Sequence, residues 1–429
     1  MNTAEALRAG TSSLSDEVLR LAERAELRCR GRFTEIDRVA LQNTERVLSA
    51  FRSARVSEPC FAGTTGYGYD DLGRETLDRV FAELLGTETA LVRIGFVNGT
   101  HALTAALFAL AKPGEHLVSV TGLPYDTLQE ALGIRGDSFG SLLFYGIGYK
   151  QIDLGDDGCV QLEKIKKAVR EDGTAAVLVQ RSRGYADRKA LTVKEIAEIV
   201  ETVKRENPAV KVMVDNCYGE FTDLTEPGHV GADLMAGSLI KNPGGGLAPA
   251  GGYVAGNKEL VDRAAMRLTT PGIGGECGAT VGTNRLLFQG LFLAPHTVAQ
   301  AMKTAVFCAA MMEKLGIPSY PGVEEARGDI IQTVRLGSEE RMRRFCRGIQ
   351  KGAPVDSFVT PEPWAMPGYD DPVIMAAGAF IQGSSIELSA DGPIREPFNV
   401  YLQGGLTYES GKLGIMMAVE ELLKAENRT

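Results

Sequence analysis

Short apolar runs and amphipathic stretches take turns from about residue 55 to about residue 300, which leaves few architectures other than an α/β domain. The apolar runs are TALVRIGF (89–96), HLVSVTG (116–122), AAVLVQRS (175–182), KVMVDNCY (211–218), ADLMAGSLI (232–240) and GGYVAG (251–256). Several carry no polar alternation at all, as expected of strands buried on both faces of a largely parallel sheet. Helical periodicity fills the intervals at THALTAALFALA (100–111), LEKIKKAVRED (162–172) and VKEIAEIVETVKREN (193–207). Residues 1–54 read as a helical arm, 55–300 as the large domain, and 301–429 as a smaller carboxy-terminal domain. That last part opens on a long helix at AQAMKTAVFCAAMMEKLG, continues in mixed strands and closes on the helix GKLGIMMAVEELLKAE.

Composition narrows the function classes. With 44% apolar and 24% charged residues the chain has the balance of a soluble protein with a sizeable core. A formal charge of −9 without a basic block argues against nucleic-acid or anionic-membrane partners, since neutralising phosphates needs clustered Lys and Arg. The amphipathic, acid-bearing amino terminus has no secretory-signal pattern, and the apolar stretch LLFQGLFLAP is too short for a bilayer. Seven widely spaced cysteines, an odd number with no CxxC pair, fit a reducing cytoplasmic address, and the four scattered histidines give no metal spacing.

In an open α/β sheet, ligands gather beyond the carboxyl ends of the strands. After the first strand, Asn98, Gly99 and Thr100 open a helix, whose free N–H groups and dipole suit an anion such as phosphate; the same residues also serve as an ordinary cap. Asp215 ends a strand as a carboxylate behind apolar residues, a costly placement unless a cation or strong donor meets it. The next strand ends in SLIKNPGGG, with Ser238 and Lys241. Lys241 precedes its glycines and is followed by Asn242, so this is no Walker loop. In GIGGECG (272–278), Cys277 stands where a dinucleotide fingerprint needs glycine. An amine, a buried carboxylate and an anion hole together meet the needs of pyridoxal phosphate, whose aldehyde, ring nitrogen and phosphate they match. Tyr125, just past the second strand, offers a flat partner for its ring or a packing contact.

The ordered set NGTHA, PYDT, VDNCYGEF and SLIKNPGGGLAPAGGY resembles the Cys/Met-metabolism enzymes that use pyridoxal phosphate, the group of cystathionine β-lyase and methionine γ-lyase. It is most similar to the branch known as aluminium-resistance proteins, and the likeness runs from GYGYDDLGRETL (66–77) to YLQGGLTYESGKLGI (401–415). The resemblance implies an aspartate-aminotransferase-like fold (fold type I), a mostly parallel large-domain sheet and a smaller α/β domain. It makes Lys241 the Schiff-base lysine, Asp215 the pyridinium partner, Gly99, Thr100 and Ser238 the phosphate ligands, and Tyr125 the stacking residue that also assists proton transfer. Tyr67 and Tyr69 fall where the family reaches a neighbouring subunit's phosphate, which implies a homodimer or homotetramer with shared active sites.

The sequence departs from those lyases where they hold the substrate carboxylate. YLQGGLTYE lacks the expected arginine, and Arg395 in DGPIREPF is the substitute candidate. In QRSRGYADRK (180–189), Gln180, Arg181 and Arg183 end a strand, and Arg183 is a second candidate for substrate binding. The activity implied is β- or γ-elimination on a sulfur-containing amino acid of the cystathionine, cysteine or methionine class. Retro-aldol cleavage, transamination and cofactor binding without turnover stay open.

Overall fold

The computed structural model describes residues 14–137, 139–366 and 369–426. The chain divides into two compact units, one of residues 42–294 and one that joins the residues up to 41 with those from 295 onward. The division therefore falls inside two continuous helices, Asp16–Ser53 and Asn284–Leu315, and not at the 54/55 and 300/301 boundaries read from sequence. The second of these helices starts well before the expected segment and carries Pro295 within it.

The unit of residues 42–294 is built on seven strands: β1 (Thr89–Arg93), β2 (His116–Ser119), β3 (Gly148–Gln151), β4 (Thr174–Gln180), β5 (Lys211–Asp215), β6 (Leu234–Ser238) and β7 (Gly252–Gly256). Their order is β1-β7-β6-β5-β4-β2-β3. β7 runs antiparallel to β1 and β6, and the pairings from β6 to β3 are all parallel. The apolar runs of the sequence become β1, β2 and β4 to β7; all but β7 stop before their runs do, and the residues beyond form the turns that carry function. Strand β3, GYKQ, has no buried residue, so no apolar run marked it.

Packing follows from the same pattern. Leu103 and Leu107 of the helix Gly99–Leu110 join Leu117, Leu178, Met213, Leu234 and Val254 of the strands in one buried cluster. Each such leucine contributes about 1.5–3 kcal/mol by leaving water. Helix starts are fixed locally: Asn98 Oδ1 accepts from His101 N at 2.9 Å. Thr192 and Glu195 form a reciprocal capping box at the head of the helix Val193–Glu206.

The other unit carries a five-stranded antiparallel sheet of β8 (Ser319–Tyr320), β9 (Gln332–Arg335), β10 (Val373–Ala377), β11 (Ser389–Pro393) and β12 (Asn399–Gln403), ordered β10-β11-β12-β9-β8. The helices Glu339–Lys351 and Tyr408–Glu426 belong to the same unit, with Met342, Phe345, Ala418 and Val419 buried. Among the described residues, no helix is long and apolar enough to cross a membrane.

Candidate active site

Three neighbouring parallel strands end at one level. Gln180 of β4 stands opposite Asp215 of β5, and Asp215 stands opposite Ala236 of β6, two residues before Ser238. Backbone pairing alone thus brings Gln180, Asp215 and Ser238 to the carboxyl edge of the sheet, where the chain must turn and side chains are freed for chemistry.

Lys241 follows β6 in a short turn, Asn242–Gly244, that starts directly after it. The glycines are there because a helix backbone passes close by: a Cβ on Gly245 would lie 2.3 Å from Gly290 O, and one on Gly290 would lie 2.2 Å from Gly244 O. Gly245 is also left-handed, at φ 53°. The buried Asn242 fastens the turn from the other side, with Nδ2 donating to Tyr218 O and Glu220 O, both at 2.9 Å. So the Lys241 turn is bound to the turn that follows Asp215.

Asp215 is half-buried beside an apolar cavity lined by Leu103, Leu107, Leu128, Met213, Pro124 and Gln180. Its Oδ1 accepts from Cys217 N at 3.1 Å. Burial pushes the Asp215 carboxyl above the usual carboxylate range, and the Lys241 charge opposes that shift. For Lys241, burial works against the ammonium; Cys217, Tyr218, Asp215 and Tyr125 surround it and outweigh burial, so it stands above the ordinary lysine value. Its Nζ lies 3.9 Å from the centroid of the Tyr218 ring.

Tyr125 closes the far side, immediately ahead of the helix Asp126–Leu132. Its hydroxyl is 3.1 Å from Thr100 Oγ1, and its backbone N–H donates to Gln180 Oε1 at 3.1 Å. Burial raises the Tyr125 phenol, and Asp215 raises it further. At the head of the helix Gly99–Leu110, a Cβ on Gly99 would meet Ser238 Cβ at 3.1 Å and Cys217 Sγ at 3.6 Å. The missing side chain keeps the helix start pressed against Ser238, with its first N–H groups open to an anion. Lys241, Asp215, Tyr125, Thr100, Gly99 and Ser238 therefore form one cluster. An amine, a carboxylate beside apolar walls and a helix N-terminus over a buried serine have the donor set that pyridoxal phosphate requires.

The other residues singled out in sequence are Tyr67, Tyr69, Arg395, Arg183 and Arg181. Tyr67 and Tyr69 stand 90% and 70% exposed on their loop. That loop pairs with the distant glycine-rich segment 272–278, Gly278 N donating to Gly66 O at 3.1 Å. Arg395 belongs to the other unit, where its Nη1 donates to Asp371 Oδ2 at 3.0 Å. Arg183 is buried in the loop after β4. Arg181 turns inward to Asn216, Thr222 and Glu226, at 2.8, 3.1 and 3.4 Å, whereas Gln180 pairs directly with Asp215. The inward network continues through Asn216 and Tyr253 to Glu220. Sequence reading did not find Tyr218, Glu220 or Asn242, although Asn242 adjoins the lysine and the other two lie in VDNCYGEF.

The sequence model of the methionine γ-lyase family matches residues 18–423. The chain belongs to the methionine γ-lyase family. It is 49% identical over 393 residues to the uncharacterized protein YnbB of Bacillus subtilis, covering 91% of this chain and 93% of that protein. A crystal structure of a carbon-sulfur lyase involved in aluminum resistance from Clostridium novyi NT superposes with a TM-score of 0.93 at 49% identity, over 98% of this chain and 99% of that one. L-methionine γ-lyase of Pseudomonas putida is 25% identical over 323 residues, covering 70% of this chain and 74% of that enzyme. The mixed α/β architecture, a mostly parallel seven-stranded sheet with a second sheet, is shared with the C. novyi structure.

Proposed function

We propose that this chain is a pyridoxal-phosphate-dependent carbon–sulfur lyase of the aspartate-aminotransferase-like fold (fold type I), eliminating a thiol from the β- or γ-carbon of a sulfur-containing amino acid. The observation that carries the reading is the placement of Lys241 and Asp215 after adjacent strands, with the Gly99 helix start and Ser238 in the same cluster. Membership of the methionine γ-lyase family supports it.

Lys241 is the amine that would hold the cofactor covalently. Asp215 would keep a proton on the ring nitrogen, helped by the apolar walls that strengthen a charge-assisted hydrogen bond there. Gly99 and Thr100 N–H groups and the Ser238 hydroxyl would hold the phosphate, and the Tyr125 ring would flank the cofactor ring. Bound in this way, pyridoxal phosphate supplies an electron sink for the pair left when the α-proton is removed. Lys241 would be the base that takes that proton from the α-carbon. The Tyr125 hydroxyl would return a proton to the departing sulfur, giving a free thiol. Hydrolysis of the remaining unsaturated amine gives a keto acid and ammonia.

Arg395 and Arg183 are alternative candidates for holding the substrate carboxylate. The exposed Tyr67 and Tyr69 suit a role across a subunit contact, in a homodimer or homotetramer with shared sites. A substrate panel of cystathionine, cysteine and methionine tests the activity, with thiol and keto acid measured together. We expect equal amounts of both from at least one member. Cofactor-loaded protein that yields neither, or that yields glycine and an aldehyde from a β-hydroxy amino acid instead, would contradict the elimination.

A further inference from the structure

One contact in the cluster has no part in the chemistry above: the Lys241 Nζ rests over the face of Tyr218, 3.9 Å from the ring centroid. A ring face carries negative electrostatic potential, and an ammonium so placed is held by it, more firmly where water is partly excluded. Both residues are half-buried.

The backbone is shaped to put the ring there. Tyr218 has φ 69°, a left-handed conformation that bulky side chains rarely take, and such conformations persist where the surroundings enforce them. The enforcing contact is Asn242 Nδ2 on Tyr218 O at 2.9 Å. Since Asn242 directly follows Lys241, one buried side chain fixes the lysine and the ring relative to each other.

We propose that the Tyr218 ring is the seat of the Lys241 ammonium whenever that amine is not bonded to the cofactor, which makes Tyr218 a positioning residue for the lysine's departure and return. The proposal deepens the cofactor reading of Lys241 and rests on it for its functional meaning. The groups that face the ammonium are Asp215 at the end of β5, Cys217 beyond it, Tyr125 ahead of the helix Asp126–Leu132, and Tyr218 itself. Removing the ring leaves Asp215 as the remaining carboxylate in that set, so part of the hold on the charged form survives.

The test needs no turnover. The full chain, freed of cofactor with hydroxylamine, is labelled with acetic anhydride across a pH series, and acetylation of the Lys241 peptide is followed by mass spectrometry. Wild type is compared with Tyr218→Phe, which keeps the ring, and Tyr218→Asn, which removes it and tolerates positive φ. The Asn variant should label with a midpoint about one pH unit lower, or about tenfold more at a fixed pH below it, while Phe stays within about a third of a unit. An Asn midpoint equal to wild type would overturn the proposal. So would a Phe variant shifted as far as one unit, because the hydroxyl would then be the partner, and that arm stands even where the Asn variant does not fold. Addition of pyridoxal phosphate to unacetylated portions of the same proteins separates the two ideas: wild type that never attaches it at Lys241 refutes the cofactor reading and leaves the labelling result to judge the seat alone.

Discussion

Glu220 occupies a place where a carboxylate is not expected. It is 1% exposed, Tyr253 donates to its Oε1 at 2.8 Å, and its Oε2 has no hydrogen-bond partner among the described residues. Burial pushes its carboxyl up to about 8, against an ordinary 4.5. Between those two values the folded protein keeps a proton that the unfolded chain releases. Its contribution to stability is thus complete below the unfolded value and is lost as pH rises through the folded one. Glu220→Gln imitates the protonated side chain and carries no such dependence. The melting temperature of wild type should therefore fall relative to Glu220→Gln between pH 5 and pH 8, by thermal unfolding of both proteins at each pH. A constant difference would mean that the carboxyl is ionised in the fold. Polar groups of this kind were hidden in the sequence: Glu220 in VDNCYGEF gives no sign of burial, because burial comes from Tyr253 on β7, far away in the chain.

Elements meet at the site through their backbones. The run GGG after Lys241 invited a phosphate-loop reading, and the structure gives it another cause, the passage of the helix Asn284–Leu315 within contact of Gly244 and Gly245. Gly290→Ala separates two effects of known size. Alanine favours a helix over glycine by about 1 kcal/mol, whereas overpacking a tight contact costs about 1–3 kcal/mol. The added Cβ would stand 2.2 Å from Gly244 O, a backbone atom, so overpacking should win and the variant should be less stable in denaturant unfolding. Stability equal to or above wild type would mean that the Lys241 turn gives way freely. The strands that hold the site were legible because each is apolar through its centre, and their order around Asp215 follows from the parallel pairing. Strand β3 escaped because it is an exposed edge, and the early start of the Asn284–Leu315 helix escaped because Pro295 reads as a stop.

At the scale of the molecule, a mostly parallel sheet supplies the site and a separate antiparallel sheet builds the second unit. The units part within continuous helices, so no linker composition marks their boundaries, and the extent of the strand and helix alternation places them elsewhere. The cluster around Asp215 and Lys241 was legible for a simple reason: both residues sit where strands end, and that position does not depend on distant contacts. What Tyr218, Gln180 and Asn242 do depends on which turn touches which, and only the fold supplies that. The account as a whole stands on Lys241. Its most direct test is the visible absorption of the purified protein with added pyridoxal phosphate, for wild type and Lys241→Ala, before and after borohydride, with the cofactor-bearing peptide identified by mass. Wild type should turn yellow and retain the cofactor on the Lys241 peptide after reduction, and Lys241→Ala should do neither. Well-folded wild type that binds no cofactor, or that carries it on another lysine, would contradict the account.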